Sequence, residues 1–195
     1  FDSTFISQNN DYKDKILTLQ PRQYQLDAVD ALKYKHRGIL SMACGLGKTL
    51  ISILLAKIHN ITVVLSPLKA YVEQNERKFN NQLGNEYATL IIDSDYTRDS
   101  DVILKFIKDN KKCCLFATFK SCDKIIEIIK KHSNTYIIID EFHNLSRNDV
   151  LPYEVNDDVK QTDLNKLLHN KKVQIIFMSA TPRILGDNND DGLEI

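Results

Sequence analysis

Short apolar runs rich in β-branched residues alternate along this chain with stretches whose apolar residues recur every three or four positions. Repeated switching between those two periods is the pattern of a mostly parallel sheet with helices on both faces. Strands are expected at Arg37–Met42, Thr62–Ser66, Tyr87–Ile92, Cys113–Thr118, Tyr136–Asp140 and Val173–Met178, which makes six, with room for a seventh. Helices are expected from Pro21 to about Lys35, from Lys48 to about His59, after Pro67 through Tyr71, Val72 and Phe79, and over Val102–Lys108 and Lys124–Lys131. Pro21 suits a first helical turn, where its missing N–H would be unpaired anyway, and Tyr24, Ala28, Ala31 and Leu32 would form the inward stripe. The run Tyr136-Ile137-Ile138-Ile139 is apolar at consecutive positions, as a strand covered on both faces requires.

Two polar stretches interrupt the alternation. Asn144 to Thr162 carries Asp149, Pro152, Glu154, Asp157 and Asp158 with little apolar content, and reads as a surface loop or insertion. The tail Gly186-Asp187-Asn188-Asn189-Asp190-Asp191-Gly192 reads as a linker. Residues 1–185 are therefore expected to form one domain and 186–195 a connection out of it.

Composition narrows the class. A hydrophobic fraction of 43% over 195 residues is enough for a sizeable core and excludes disorder as the main state. No apolar run approaches the roughly 20 residues that cross a bilayer, so no membrane partner is expected. The first residues, Phe1-Asp2-Ser3-Thr4, show neither an initiator Met nor a secretory signal, and the chain reads as a piece of something longer. Cys44, Cys113, Cys114 and Cys122 form no CxxC pair and no zinc spacing, which points to a reducing, intracellular compartment. Lys plus Arg and Asp plus Glu balance at 26 each. A domain gripping nucleic acid over its whole surface would be basic, so any such contact here must be local.

The sharpest chemical signal is Met42-Ala43-Cys44-Gly45-Leu46-Gly47-Lys48-Thr49, lying between an expected strand and an expected helix. Glycines let a backbone curl so that successive N–H groups point inward at phosphate oxygens, and the following helix adds its positive end. In that setting Gly45, Leu46 and Gly47 line the phosphates, Lys48 reaches the terminal ones, and the Thr49 hydroxyl ligates Mg²⁺. The strict GxxxxGK[ST] pattern is missed because position 42 is Met, and the plainer reading is a glycine-containing turn with a surface lysine.

A second signal, Asp140-Glu141-Phe142-His143, closes the run ending at Ile139. Ligands of open α/β sheets sit at the carboxyl ends of the strands. There Asp140 can hold Mg²⁺ and Glu141 can polarise an attacking water for phosphoryl transfer. A solvated strand end is the plainer reading of the pair, as a satisfied imidazole is of His143.

The phosphate loop, the Asp-Glu-Phe-His segment and a downstream Ser179-Ala180-Thr181, in that order, resemble the first RecA-like domain of superfamily 2 helicases of the DExH type, in viral and restriction-type members among others. The likeness covers essentially the whole chain. It implies a P-loop NTPase fold, ATP and Mg²⁺ as cofactors, and DNA or RNA as partner, with DNA favoured. Pro21-Arg22-Gln23-Tyr24-Gln25 resembles the superfamily's adenine-recognition motif, which implies that Gln25, with Arg22 nearby, reads the adenine edge. Ser66-Pro67-Leu68-Lys69 with Gln74, and Thr118-Phe119-Lys120-Ser121, are similar to segments that touch the nucleic-acid backbone, so the resemblance puts Pro67, Lys69, Thr118 and Lys120 on that partner. It also gives His143, Ser179 and Thr181 the coupling of hydrolysis to movement.

Asp-Glu-Phe-His departs from the commoner last two letters but keeps the DExH class. No second RecA-like domain follows in these residues, and the arginine finger of phosphoryl transfer, worth roughly 10³–10⁵ in rate, is expected on it. The fragment should thus bind ATP and hydrolyse it poorly. The remaining lysines of the middle segment, Lys105, Lys108, Lys111, Lys112, Lys124, Lys130 and Lys131, are spaced as solvated helix faces. A nucleotide-gated scaffold without turnover stays open as an alternative. A P-loop kinase does too, although no Arg-rich lid is visible.

Overall fold

The computed structural model describes residues 20–150 and 161–180. Thr181, the middle of the 144–162 stretch and the 186–195 tail lie outside them. Six strands are present, β1 (Arg37–Ser41), β2 (Ile61–Ser66), β3 (Ala88–Ile92), β4 (Cys113–Thr118), β5 (Thr135–Asp140) and β6 (Gln174–Ser179). They form one sheet in the order β1-β6-β5-β2-β4-β3, and every pairing is parallel. The expected RecA-like α/β class is the observed one.

The helices are α1 (Gln23–Leu32), α2 (Lys48–Ala56), α3 (Lys69–Leu83), α4 (Ser100–Asp109), α5 (Cys122–Lys131), α6 (Arg147–Val150) and α7 (Asp163–Leu168). Buried residues of α1, α2 and α3 pack on one face of the sheet, against Val64, Phe116, Tyr136, Ile138 and Ile176. Those of α4, α5 and α7 pack on the other, against Val63, Leu65, Leu115, Ile137 and Ile175. The division follows from handedness: crossovers between parallel strands are right-handed, so reversing the direction of strand addition after β3 moves the helices to the opposite face. Cys113 and Cys114, adjacent in β4, go to different faces and are both fully buried.

Several boundaries differ from the sequence reading. α1 starts at Gln23 with Arg22 as its N-cap, two residues after Pro21, and buries Gln25, Val29 and Leu32. Tyr24 and Ala31 of the expected stripe are exposed. The helix is rotated because a polar residue, Gln25, is drawn inward by a hydrogen bond that periodicity does not register. Pro67 opens no helix: α3 begins at Lys69 with Leu68 as N-cap. The 144–162 stretch is not all loop. Arg147–Val150 is helical, and just beyond the stretch α7, which carries no strong pattern, buries Leu164, Leu167 and Leu168 and packs on α5 and α6.

Arg37, at the edge of the sheet, ties this region down. Its guanidinium donates to the carbonyls of Leu168 (3.2 Å), Asn170 (2.7 Å), His36 (3.1 Å) and Val173. The first of these is an end carbonyl of α7, which has no intrahelical donor. Among the described residues no helix is long and apolar enough to cross a membrane.

Candidate active site

Parallel pairing puts all six strand ends on one edge. Ser41 is level with Ser179, Asp140 with Met178, Ser66 with Thr118, and Ile92 with Ala117. Residues far apart in the chain are thereby brought side by side at the carboxyl edge, where ligands of such sheets bind.

The loop after β1 begins with the Met42 amide donating to the Ser179 carbonyl, 3.0 Å. Gly45 and Gly47 have φ of 82° and 88°, a left-handed backbone that L side chains avoid. A side chain at Gly45 would face open space, whereas a Cβ at Gly47 would lie 2.2 Å from the Gln25 amide nitrogen. Conformation alone calls for glycine at the first position; conformation and crowding both call for it at the second. Lys48 opens α2 and its ammonium donates to the Met42 carbonyl at 3.1 Å, so the cation is folded back over its own loop. Thr49 follows in the first turn of α2, half-buried.

Gln25 braces the loop from α1. Its amide nitrogen donates to the Leu46 carbonyl at 2.9 Å, its amide oxygen accepts from the Arg22 N–H at 2.9 Å, and the Tyr24 hydroxyl reaches the same Leu46 carbonyl at 3.1 Å. The bracing itself was not read from sequence. Arg22 is exposed beside it.

Asp140 ends β5. One carboxylate oxygen accepts from the Glu141 N–H at 3.1 Å and the other from the Asn75 amide at 2.8 Å. Asn75, on α3 and 5% exposed, also donates to the Ser66 hydroxyl at 3.2 Å. Its neighbour Gln74, grouped by the resemblance with the Pro67–Lys69 segment, is exposed; the one sequence signal for Asn75 is an amide on the inner stripe of an otherwise amphipathic helix. Glu141 has φ 51°. Its carbonyl accepts from the Asn144 side chain at 3.0 Å, and its carboxylate lies 3.3 Å from His143 Nδ1. The same Nδ1 is 2.8 Å from the Ser179 hydroxyl, and Nε2 is 3.1 Å from the Asn144 amide nitrogen. With Asn144 donating to Nε2, the proton of a neutral His143 sits on Nδ1, shared between Glu141 and Ser179. The structure thus joins Glu141, His143 and Ser179 in one network.

The residues assigned to nucleic acid are spread along the same edge. Thr118 is buried, its hydroxyl 3.4 Å from that of Ser121, and Lys120 is exposed in the turn that follows. Pro67 is half-buried past the end of β2. Lys69 is engaged by carboxylates: it forms an ion pair with Asp95 and lies 3.9 Å from Glu73. The Asp95 bond raises the Lys69 pKa and the same bond lowers that of Asp95, so both are charged at neutral pH.

Among the described residues no group of three or more His, Cys, Asp or Glu side chains could hold a metal ion. The Thr49 hydroxyl and the Asp140 carboxylate are oxygen donors of the kind Mg²⁺ takes, with waters and phosphate oxygens as its usual remaining ligands. A left-handed glycine loop, a lysine ammonium resting on a carbonyl and two oxygen ligands fit a Mg–nucleotide. A cavity of about 570 Å³, lined by Asn80, Tyr87, Thr89, Asn110 and Lys112 among others, contains none of these residues and lies by the start of β3 and β4.

The family model described as type III restriction enzyme, res subunit, matches residues 18–184. None of the curated proteins matches the chain. Among solved structures, it is similar to a nuclease-deletion mutant of the type ISP restriction-modification enzyme LlaGI in complex with a DNA substrate mimic, at 22% identity and a TM-score of 0.63, covering 85% of this chain and 18% of that one. It is similar also to the ATP-dependent type ISP restriction-modification enzyme LlaBIII bound to DNA, at 23% identity and a TM-score of 0.65, covering 88% and 13%. The chain thus spans less than a fifth of either enzyme, and the likeness is one of fold. The family model and these two structures are on the restriction side of the expected resemblance.

Proposed function

The chain belongs to the type III restriction enzyme res-subunit family, and from that membership we propose that it is the ATP-binding domain of a nucleic-acid-dependent ATPase that couples hydrolysis to movement along DNA. The observation that carries this reading is the meeting, at one sheet edge, of the Lys48 loop, the Asp140–Glu141 pair and the Ser179–His143 bond. DNA is favoured because one of the similar structures is bound to DNA and another to a DNA substrate mimic.

Mg–ATP, when bound, would supply the transferable phosphoryl group and a cation to neutralise the charge that develops on it. The chain's own residues do the rest. The amides of the Gly45–Gly47 turn and the start of α2 offer N–H donors to the phosphates, and Lys48 exchanges the Met42 carbonyl for a phosphate oxygen. Thr49 and Asp140 hold the cation, with Asn75 fixing the Asp140 carboxylate. Glu141 orients and polarises the attacking water. Arg22 and the remaining amide valences of Gln25 read the base, which links nucleotide occupancy to the loop that Gln25 braces. His143 shares its proton between Glu141 and Ser179, so a displacement at the end of β6 is felt at the catalytic carboxylate. Thr181 extends that coupling, and Pro67, Lys69, Thr118 and Lys120 meet the nucleic-acid backbone.

The test is ATP hydrolysis by the full-length parent protein, wild type against Glu141→Gln, with single- and double-stranded DNA and RNA added in turn. Stimulation by DNA is expected, and the substitution should lower the stimulated rate by about 10²–10⁴ with Mg–ATP binding retained. Binding without turnover on any polymer would leave a nucleotide-gated scaffold and refute the motor.

A further inference from the structure

The connection from β3 to α4, residues 93–99, lies on the same edge as the site and belongs to no motif read from the sequence. Ile92, just before it, is level with Ala117, one residue short of Thr118. Two cations meet there, Lys69 from the start of α3 and Arg98 beside the end of β4, and a carboxylate holds each. Lys69 pairs with Asp95, has Glu73 at 3.9 Å, and lies over the Tyr96 ring at 5.5 Å, while the Tyr96 hydroxyl donates to Glu73 at 3.1 Å. Arg98 pairs with Asp123 at 2.8 Å and donates to the Ser121 hydroxyl at 3.4 Å, which is itself 3.4 Å from that of Thr118. All four charged groups of the two pairs are more than a third exposed.

Acids outnumber bases on this strip once Asp93, Asp99, Asp101 and Glu127 are added, and Lys124 too is held near Asp123 and Glu127. Such a surface repels a phosphate backbone as it stands. Exposed ion pairs, however, are individually weak, and a phosphodiester presents the same charge and acceptor geometry to lysine and arginine as a carboxylate does. A continuous backbone can replace both carboxylates in one event, which a single small anion cannot do.

We propose that Lys69–Asp95 and Arg98–Asp123 are exchangeable ion pairs, each carboxylate standing where a backbone phosphate of the bound strand goes, so that residues 93–99 form a further strip of the nucleic-acid surface. The proposal rests on the function above and specifies how its track is kept unoccupied by weaker anions. Discrimination is by charge and continuity, not by base.

Asp95→Asn frees Lys69 without removing a phosphate ligand. Binding of short fluorescein-labelled single-stranded DNA, duplex DNA and single-stranded RNA to the full-length protein, followed by anisotropy, reads the effect. Asp95→Asn is expected to tighten binding of the preferred polymer about fivefold at low ionic strength and to lose that advantage in roughly 1 M salt, where screening acts within about 3 Å. In a Lys69→Ala background the same substitution should retain only the small gain that any lost acid on this strip gives, and Asp101→Asn, an equal charge change on an exposed acid that holds neither cation, should give no more than that small gain. The pair Asp123→Asn and Arg98→Ala provides an independent cycle. Equal tightening by Asp101→Asn, or by Asp95→Asn without Lys69, would show a general field effect and overturn the exchange, as would an Asp95→Asn protein identical to wild type. Wild-type protein that binds none of the three polymers would overturn the proposed function together with the strip; binding with inert pair variants would overturn the strip alone.

Discussion

Glu141 is the one non-glycine residue with positive φ among the described residues. Left-handed backbone disfavours an L residue by about 1–2 kcal/mol, and here it turns the chain sharply enough to bring the Glu141 carboxylate back to His143 and its carbonyl onto Asn144. Such strain gathers where a side chain must be aimed, which agrees with the role proposed for Glu141. Cysteines show the opposite economy. Burial pushes the Cys113 thiol up to about 11 and Cys114 up to about 12, which makes both inert, whereas Cys44 is exposed in the phosphate loop. N-ethylmaleimide should therefore modify Cys44 and spare Cys113, Cys114 and Cys122, and Mg–ATP should protect Cys44. Peptide mapping by mass spectrometry checks both halves; labelling indifferent to nucleotide would place the phosphates elsewhere.

Elements were legible where burial alone shapes them. The runs of β2, β4 and β5 are apolar at consecutive positions because both faces are covered, and their ends were read to within a residue of those observed. Elements held by polar bonds were not. α1 turns to bury Gln25, and α7, six residues long, packs on α5 and α6 with a Thr162 cap on the Asn165 N–H and the Arg37 guanidinium at its far end. No local pattern announces a short helix whose last carbonyl is satisfied by a residue more than a hundred positions away. Replacing Arg37 with Ala would remove charged hydrogen bonds to four carbonyls. A loss of about 2 kcal/mol is expected, a Tm lower by roughly 4–8 °C at this domain size. Arg37→Lys should not restore it, since one ammonium cannot span the fork. Thermal denaturation of the three proteins gives the answer, and an unchanged Arg37→Ala midpoint would mean that water satisfies those carbonyls equally well.

At the scale of the whole molecule the two edges of the sheet differ in kind. The carboxyl edge gathers charge and hydrogen-bonding side chains, while the opposite edge carries the His59–Tyr136 stack, centroids 3.9 Å apart and rings 9° from parallel. His59 Nε2 is buried without a hydrogen-bond partner, and burial lowers its pKa from the ordinary 6.5. The folded state thus takes up this proton less readily than the unfolded chain. The stability it contributes is complete above 6.5 and is lost as pH falls through the lowered value. His59→Phe keeps the stack and removes the proton site, so its Tm should fall less than that of wild type between neutral and mildly acidic pH; parallel curves would put the acid sensitivity on other groups. The chemistry of the phosphate loop, the acid pair and the class of fold can be read from the linear sequence because each is a local pattern: glycines beside a lysine, acids ending an apolar run, one period replacing another. The partners of those groups cannot. Asn75 on Asp140, Gln25 beneath Gly47, Ser179 on His143 and Asp95 on Lys69 are separated by 65, 22, 36 and 26 positions, and they meet because parallel register levels the strand ends and helix packing chooses which side chains turn inward.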